Sequence, residues 1–338
     1  MSRQLTRKDV AIAAGVAPST VSRALTGSHL LPQATIDHVR KIAEEIGYNP
    51  NRLASQLASN KSFTVGFVVP EMQKRRGPFQ VGYFADLLDA TVREGEKSGF
   101  RISIHPISYI DQNSISKLNQ LYLSKSFDGL IINGISLNNS LLAGLLELKI
   151  PFTTVGYYQD NENFPMINCR SFFAFQEMFK ALIRKKYQEI IFVGGDMQFY
   201  DGVSQKSDFM QALQSSDIKL IHELSGDFSR KSGYQAAEQI LKIERKNKTA
   251  VFLANDLMAT GFYRYAYEHQ IAIPKTIGVI GSDDEVISRT LFPELATIRQ
   301  PREKMGMLSV QELLSLIKGD SNQTKTELAC EFIERNSI

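Results

Sequence analysis

The sequence predicts an α/β protein in which a small helix-turn-helix head precedes a larger, two-lobed core built on parallel sheets. Two short helices joined by a tight turn are indicated near the start of the chain. From Phe63 onward, short buried strands alternate with helices, which is typical of parallel sheets with helices on both faces. This alternation restarts after Asn168, so we expect two lobes that close on a ligand between them.

The stretch from Leu5 to Leu25 predicts the two helices of the head. Thr6 and Asp9 have the spacing of a capping box, and Gly15 suits the left-handed end of the first helix. Pro18 fits the first position of the second helix, where a missing N–H has no helical partner. The side chains left outside that helix are Ser19, Thr20, Ser22 and Arg23. Short polar groups and an arginine on an exposed helix suit the reading of a major groove, although an ordinary helical hairpin has the same pattern.

A third helix is predicted from about Gln33 to Ile46, because apolar residues recur there at helical spacing. Pro50 then predicts an extended link. The segment from Arg52 to Leu57 is too short to be a stable helix by itself. Leu53, Ala54 and Leu57 would nevertheless share one side of a helix if it formed.

Residues 5–61 resemble the DNA-binding headpiece and hinge of the LacI/GalR (lactose repressor/galactose repressor) family of bacterial transcription regulators. The matching sequence segments are DVAIAAGV, STVSRAL, IGYNPNRLA and SQLASNKS, and their combination is specific to the family. The resemblance implies a helix-turn-helix DNA-binding headpiece over 1–49, a hinge helix or linker over 50–62, and an effector-binding and dimerisation core over 63–338. That core would be periplasmic-binding-protein-like. Its N-lobe would span about 63–164 and 292–321, and its C-lobe about 165–291 and 322–338.

Composition limits the classes of protein that this chain can belong to. Of 338 residues, 43% are hydrophobic and 22% charged, and there is no long apolar run or signal-peptide pattern, so we expect a cytoplasmic protein without a membrane partner. The two cysteines, Cys169 and Cys330, form no disulfide framework or metal-binding pair and are predicted to be buried thiols. Residues 1–62 carry a net charge of +4 in a chain of +3, which places the positive excess in the head, where phosphates would be contacted.

Catalytic motifs are missing from the sequence. It has no phosphate-binding glycine loop, no histidine cluster with metal spacing and no GxSxG turn, so no catalytic residue, cofactor or metal is expected. Asp283 and Asp284 could be imagined as a glycosidase pair, but adjacent loop residues rarely face a substrate at the required separation.

The resemblance also implies which residues contact DNA. Base contacts would come from Pro18, Ser19 and Arg23, with Ser22 alongside. Phosphate or sugar contacts would come from Thr6, Thr20, Ser28 and Asn51. The hinge residues would be Arg52, Leu53, Ala54 and Leu57, with Leu57 as a wedge in the minor groove. Two alternatives are open: Arg23 could contact phosphate only, and Leu57 could be a solvent-facing linker residue. Ala17 stands where the family often has a capping serine, at a cost of about 1 kcal/mol.

For the core, the resemblance implies a sugar pocket at the strand ends. The ligand-binding candidates are Phe79, Gln205, Phe228, Asn255, Asp283 and Gln300. Asn255 and Asp256 in LANDLMA both match a family motif, but Asp256 could instead cap the helix that follows, and Phe228 could pack in the core. The basic residues at 74–76 form either a solvated loop or an anion site. The departures from the family pattern are Gln205 for an arginine, Asp208 for a glycine, Ser282 for an aromatic residue and Lys186–Tyr187 for a glycine–histidine turn.

We therefore predict a homodimeric, sequence-specific transcriptional regulator that binds double-stranded operator DNA. It would repress carbohydrate-utilisation genes under the control of a neutral sugar, because a pocket with an acid and without the family arginine leaves an anionic ligand poorly paired. No leucine heptad precedes Ile338, so a dimer is expected and not a tetramer. The alternatives are a carbohydrate-sensing protein with a degenerate DNA head, and a DNA-binding regulator without a small-molecule effector.

Overall fold

The computed structural model describes residues 5–25, 31–48, 56, 59–71, 82–108, 113–137, 140–157, 163–320 and 324–338. Internal contacts divide the chain into two units, Met1–Ser62 and Phe63–Ile338. Within the described ranges, no helix has the length and apolar character needed to cross a membrane.

Within the described residues of the first unit, three helices surround a small apolar core. They are α1 (Arg7–Ala14), α2 (Pro18–Leu25) and α3 (Gln33–Glu45). Val10, Val21 and Val39, one from each helix, have no exposed surface and pack together. The backbone N–H of Thr6 donates to Asp9 at 2.7 Å, which anchors the start of α1. Gly15 ends α1 at a φ of 65°, the conformation that favours glycine.

The second unit is built from twelve strands and nine helices in its described part. The strands are β1 (Thr64–Pro70), β2 (Arg101–Ile107), β3 (Gly129–Asn133), β4 (Phe152–Val155), β5 (Met166–Arg170), β6 (Glu189–Gly194), β7 (Lys219–Ser225), β8 (Thr249–Leu253), β9 (Gly278–Ser282), β10 (Ala296–Arg299), β11 (Lys325–Ala329) and β12 (Glu331–Ile333). The helices are α4 (Gly82–Lys97), α5 (Asn113–Leu123), α6 (Leu141–Glu147), α7 (Phe172–Arg184), α8 (Tyr200–Leu213), α9 (Arg230–Ile240), α10 (Asp256–Glu268), α11 (Val286–Thr290) and α12 (Arg302–Lys318).

These strands form two six-stranded sheets, one in each lobe. The N-lobe sheet has the order β11-β5-β4-β3-β1-β2, and its pairings are all parallel. The C-lobe sheet has the order β12-β10-β9-β8-β6-β7 and is parallel except for β12, which runs antiparallel to β10. Central strands such as β3 and β8 are buried along their whole length, as expected for parallel sheets covered on both faces.

The lobe boundaries differ from the expected ones at three strands. β5 and β11 lie in the N-lobe sheet although 165–291 and 322–338 were assigned to the C-lobe. Conversely, β10 lies in the C-lobe sheet although 292–321 was assigned to the N-lobe. The reason is that strand–helix alternation does not reveal which sheet a strand joins. That choice depends on pairing with distant strands, as between Cys169 and Leu328. The chain therefore crosses between lobes after β5, after β10 and between β11 and β12.

Candidate functional site

A cavity lies where the carboxyl ends of the strands in both lobes meet, the usual place for a ligand in open α/β sheets. The strand-end residues that line it are Pro70, Gly134, Gly156, Asn255, Asp283 and Gln300. Its volume is about 120 Å³, which can be compared with roughly 150 Å³ for a cavity that holds one benzene ring. Of the predicted ligand-binding residues, Gln205, Phe228, Asn255, Asp283 and Gln300 line it. Phe79 lies outside the described residues, as do residues 74–76.

The residue that caps α10 is the neighbour of the one for which capping was predicted. Asn255, not Asp256, caps α10: its Oδ1 accepts a hydrogen bond from the backbone N–H of Met258 at 2.8 Å. Its Nδ2 donates to the carbonyl of Phe228 at 3.1 Å, so Asn255 both lines the cavity and fixes its wall. The capping alternative for Asp256 is therefore wrong, because that side chain is turned into the core.

The fully buried Asp256 carboxylate holds the loop after β9 in place. Its Oδ1 accepts a hydrogen bond from Thr297 at 2.7 Å, and its Oδ2 accepts one from the backbone N–H of Glu285 at 2.8 Å. The loop also contains Asp283, which adopts a φ of 109°. A non-glycine residue in that conformation is strained, and such strain is commonly maintained at functional sites. Asp256 thus helps to hold Asp283, which lines the cavity, in its position.

Asp283 has a buried carboxyl group. Residues that follow β10, where the chain crosses into the N-lobe, donate hydrogen bonds to Asp283. Gln300 donates to its Oδ1 at 2.8 Å, and Arg302 donates to its backbone carbonyl at 2.5 Å. Burial raises the pKa of Asp283 to about 6, against the opposing effects of Arg302 and Gln300. The aspartate is therefore a strong acceptor for a ligand hydroxyl or ammonium group.

Gln205 and Phe228 form part of the C-lobe wall. Gln205 donates from Nε2 to the carbonyl of Ala254 at 3.0 Å, whereas its buried Oε1 has no hydrogen-bond partner among the described residues. Phe228 has a φ of 60°, and its ring lies over Gly195, where a Cβ would come within 2.0 Å of Cζ. Phe228 also packs against the apolar core around α9 and α10, so the binding and packing interpretations both apply to it.

Asp201, in the first turn of α8, is a cavity residue that the sequence analysis missed. A Cβ at Gly156 would lie 2.7 Å from Oδ1 of Asp201 and 3.3 Å from the hydroxyl of Tyr83, so the carboxylate reaches the opposite lobe. Burial raises the pKa of Asp201 to about 7, and the negative charge of Asp283 adds to this effect. The only sequence signal was an acid in a helical first turn, which commonly complements the helix dipole.

Asp208, one of the departures from the family pattern, is a structural residue. Arg170 donates to its Oδ1 at 2.8 and 3.1 Å, and the backbone N–H of Ser171 donates to its Oδ2 at 2.8 Å. Its negative charge is therefore compensated at the edge of the cavity. Across the described residues, no three His, Cys, Asp or Glu side chains are grouped to hold a metal ion.

In the head, α2 presents the predicted DNA-reading side chains on its outer face. Pro18, Ser19 and Arg23 are exposed, and Thr20 and Ser22 are partly so. Ser22 accepts a 3.5 Å hydrogen bond from Arg7, and the Thr6 hydroxyl donates to Asp9 at 2.7 Å. The predicted contacts outside the described residues are Ser28, Asn51, Arg52, Leu53, Ala54 and Leu57.

Comparison of the sequence with known proteins gives matches along the whole chain. Residues 6–51 match the bacterial regulatory proteins of the lacI family, and residues 179–338 match a periplasmic binding protein-like domain. The HTH-type transcriptional repressor PurR of Pectobacterium atrosepticum is 30% identical over 345 residues, covering 98% of this chain and 96% of the relative. The probable HTH-type transcriptional repressor ExuR of Bacillus subtilis is 29% identical over 339 residues, covering 99% and 98%.

Solved structures share the fold over nearly the full length. The lac repressor dimer bound to operator and the anti-inducer ONPF superposes with a TM-score of 0.76 at 24% identity, covering 99% of each chain. A complex of the transcriptional regulator CelR with cellobiose gives a TM-score of 0.74 at 23% identity, covering 98% of this chain and 99% of the other.

Proposed function

Because this chain belongs to the LacI family of bacterial regulatory proteins and is a DNA-binding transcriptional repressor, we propose that α2 reads its operator and that a small carbohydrate in the core cavity controls this binding. The observation that carries the proposal is that one chain combines an exposed, polar α2 with a cavity lined by polar residues from strand ends in both lobes. A ligand that contacts both lobes favours one arrangement of the lobes, and this is the requirement for a conformational switch.

We propose that Arg23 reads a base. It lies exposed on α2, and a guanidinium can donate two hydrogen bonds to O6 and N7 of guanine. Arg23→Ala should weaken binding to the operator by about 1–3 kcal/mol and relax the preference at one base pair. Arg40→Ala is the matched control, since it removes the same charge from an exposed position on α3. Binding-site selection from random DNA measures both effects; an equal loss on every sequence would show a phosphate contact instead.

The protein should act as a homodimer on a near-palindromic operator, because one head reads only a short half-site. Large apolar side chains exposed on the C-lobe support a subunit contact: Val286 is 81% exposed and Phe292 is 94% exposed. Phe292→Asp should shift the protein toward monomers in sedimentation and weaken operator binding. Leu123→Asp is the control, as it alters an apolar side chain that is 70% exposed on α5 of the N-lobe. If the protein bound its operator tightly as a monomer, this proposal would be wrong.

The effector proposed here is a carbohydrate of about the size of one ring, without negative charge. The cavity volume of about 120 Å³ suits one ring better than a chain of sugars. Among the described residues that line it, none is Lys, Arg or His, so a phosphate or carboxylate would be left without a cation. Operator affinity titrated with sugars and with their phosphates tests this: a response to sugar phosphates alone would contradict it. A response to no small molecule would favour the effector-free alternative.

The same residues support a regulator without catalytic activity that acts in the cytoplasm, where operator DNA is present. Asp283 and Asp284 are bound by different partners. Asp284 is paired with Arg335 and, at 2.8 Å, with Arg299, whereas Asp283 lines the cavity. They are therefore not arranged as the pair of carboxylates that a glycosidase directs at one bond. Detectable hydrolysis of aryl glycosides that is lost in Asp283→Asn would contradict this.

A further inference from the structure

We propose that the effector carries a protonated amine, as an amino sugar does, and that Asp201 and Asp283 bind this amine in the cavity. The inference rests on the proposed function, since it specifies the chemical class of the ligand in the same cavity. It also changes the predicted ligand from a neutral sugar to a singly positive one, because the sequence analysis did not include Asp201.

Three of the polar side chains that line the cavity can accept further hydrogen bonds from a ligand. Asp201 receives no hydrogen bond from any described residue, and Asp283 accepts one side-chain hydrogen bond, from Gln300. The Oε1 of Gln205 is buried and receives no hydrogen bond from the part of the chain that the structure describes. Asn255, in contrast, uses both its side-chain atoms in hydrogen bonds to the protein. An ammonium group brings three N–H donors and no acceptor, whereas a hydroxyl brings only one donor.

The charges around the cavity favour a cation. Asp201 and Asp283 lie close enough that the charge of Asp283 raises the pKa of Asp201. In the described lining of the cavity, the third acid, Asp208, is paired with Arg170. Arg302 binds Asp86 at 3.1 Å and the backbone carbonyl of Asp283, and is not itself a lining residue. A ligand cation would relieve the repulsion between the half-buried carboxylate of Asp201 and the buried one of Asp283, and an anion would increase the repulsion.

Aromatic residues supply the remaining surface that such a ligand needs. The aromatic side chains that line the cavity are Tyr83, Phe84, Phe199 and Phe228. Their rings can cover the apolar face of a sugar, and aromatic faces also attract cations. Aromatic walls together with two acids therefore suit a ring that carries an amine.

Calorimetry on the full chain with matched ligands tests the inference. The probes are glucosamine, galactosamine and mannosamine, each compared with its parent hexose, its N-acetyl derivative and the corresponding uronate. At least one amine should bind about tenfold or more tightly than its matched compounds, the equivalent of one charge-assisted hydrogen bond. Equal or tighter binding of the hexose, N-acetyl sugar or uronate would overturn the inference, and so would the failure of all three amines to bind. A response of operator affinity to a neutral sugar would leave the proposed function intact while this inference failed.

A variant of Asp201 and a matched control test whether Asp201 binds the amine. Asp201→Asn preserves size and removes the charge, so it should weaken binding of the amine by about tenfold while changing binding of the parent hexose much less. Asp217→Asn is the control, since it removes an acid that is exposed and does not line the cavity. Thermal unfolding of both variants verifies that they fold. An unchanged preference for the amine in Asp201→Asn would overturn the assignment to Asp201.

Discussion

Nε2 of Gln300 donates a 2.8 Å hydrogen bond to Oδ1 of Asp283, and Oε1 of the same Gln300 accepts a 3.3 Å hydrogen bond from the thiol of Cys169. One amide therefore joins the ends of β5 and β10, where the chain crosses between lobes, to the carboxylate in the cavity. A ligand that displaces Asp283 acts directly on these crossings, which gives a physical route from the cavity to the arrangement of the lobes.

Gln300→Leu should raise the pKa of Asp283 above its value of about 6, because the hydrogen bond from Gln300 lowers that pKa. Carboxyl ¹³C NMR titration of the full chain measures this change directly. Gln311→Leu is the control. Gln311 donates a 2.7 Å hydrogen bond to Glu94, and neither residue lines the cavity. An unchanged or lower pKa of Asp283 in Gln300→Leu would show that the hydrogen bond does not stabilise the carboxylate.

Asp201 should reduce the stability of the ligand-free protein at high pH. Its pKa rises from 3.8 in the unfolded chain to about 7 in the folded one, so the folded state binds more protons between these values and stability falls as pH rises through that window. The charges and titratable groups that interact with it are Asp283, Tyr83 and Cys169. Asp201→Asn should exceed the wild type in free energy of unfolding by roughly 1–3 kcal/mol at pH 8.

That advantage should shrink as pH falls below 7 and disappear at about pH 3 and below, where the wild-type carboxyl is mostly protonated in both states because the pH lies below the unfolded-state pKa of 3.8. Urea unfolding at several pH values gives the comparison, with Asp217→Asn as the exposed control. A difference between Asp201→Asn and the wild type that does not change with pH would show that the pKa of Asp201 is not raised by folding.

Gly195→Ala should displace the ring of Phe228, because a Cβ at that position would lie 2.0 Å from Cζ. Overpacking of this kind costs about 1–3 kcal/mol, and the shifted ring should also weaken ligand binding. Thermal unfolding and calorimetry with a bound sugar measure the two effects. If ligand affinity stays at the wild-type value, Phe228 is only a core residue.

Ala17→Ser should stabilise the start of α2. The Ala17 carbonyl already accepts hydrogen bonds from the backbone N–H groups of Thr20 and Val21, at 2.9 and 3.1 Å, so position 17 precedes the first turn. A serine hydroxyl there can accept from a free N–H of that turn, for a gain of about 1 kcal/mol. Hydrogen exchange in the full chain should show greater protection of α2 amides; unchanged protection would mean that Pro18 already compensates for the missing cap.

The head was predictable because its signals are local. Thr6, Asp9, Gly15 and Pro18 act within a few residues of their own positions, and the structure places them at the helix ends. The assignment of β5, β10 and β11 to lobes was not predictable, since it depends on pairing between strands that are far apart in sequence.

The cavity was predictable only in part, for the same reason. Asp283 and Gln300 follow strands whose ends were recognisable, and they line the cavity. Asp201 looked like an ordinary acid in a first helical turn, and its importance arises only because Gly156 of the other lobe lies against it. Asn255 and Asp256 are neighbours, and the sequence could not show which of them caps α10 and which is turned into the core.

The central claim is that a ligand in the cavity controls operator binding by the head. The most direct test measures the affinity of the full chain for DNA upstream of its own gene, with increasing concentrations of amino sugars and neutral sugars, for the wild type and Asp283→Asn. In the wild type, a ligand should change operator affinity by about 5- to 150-fold. Asp283→Asn should bind the same DNA equally well without ligand and should not respond. A wild-type response that persists unchanged in Asp283→Asn, or an absence of sequence-specific DNA binding, would contradict the account.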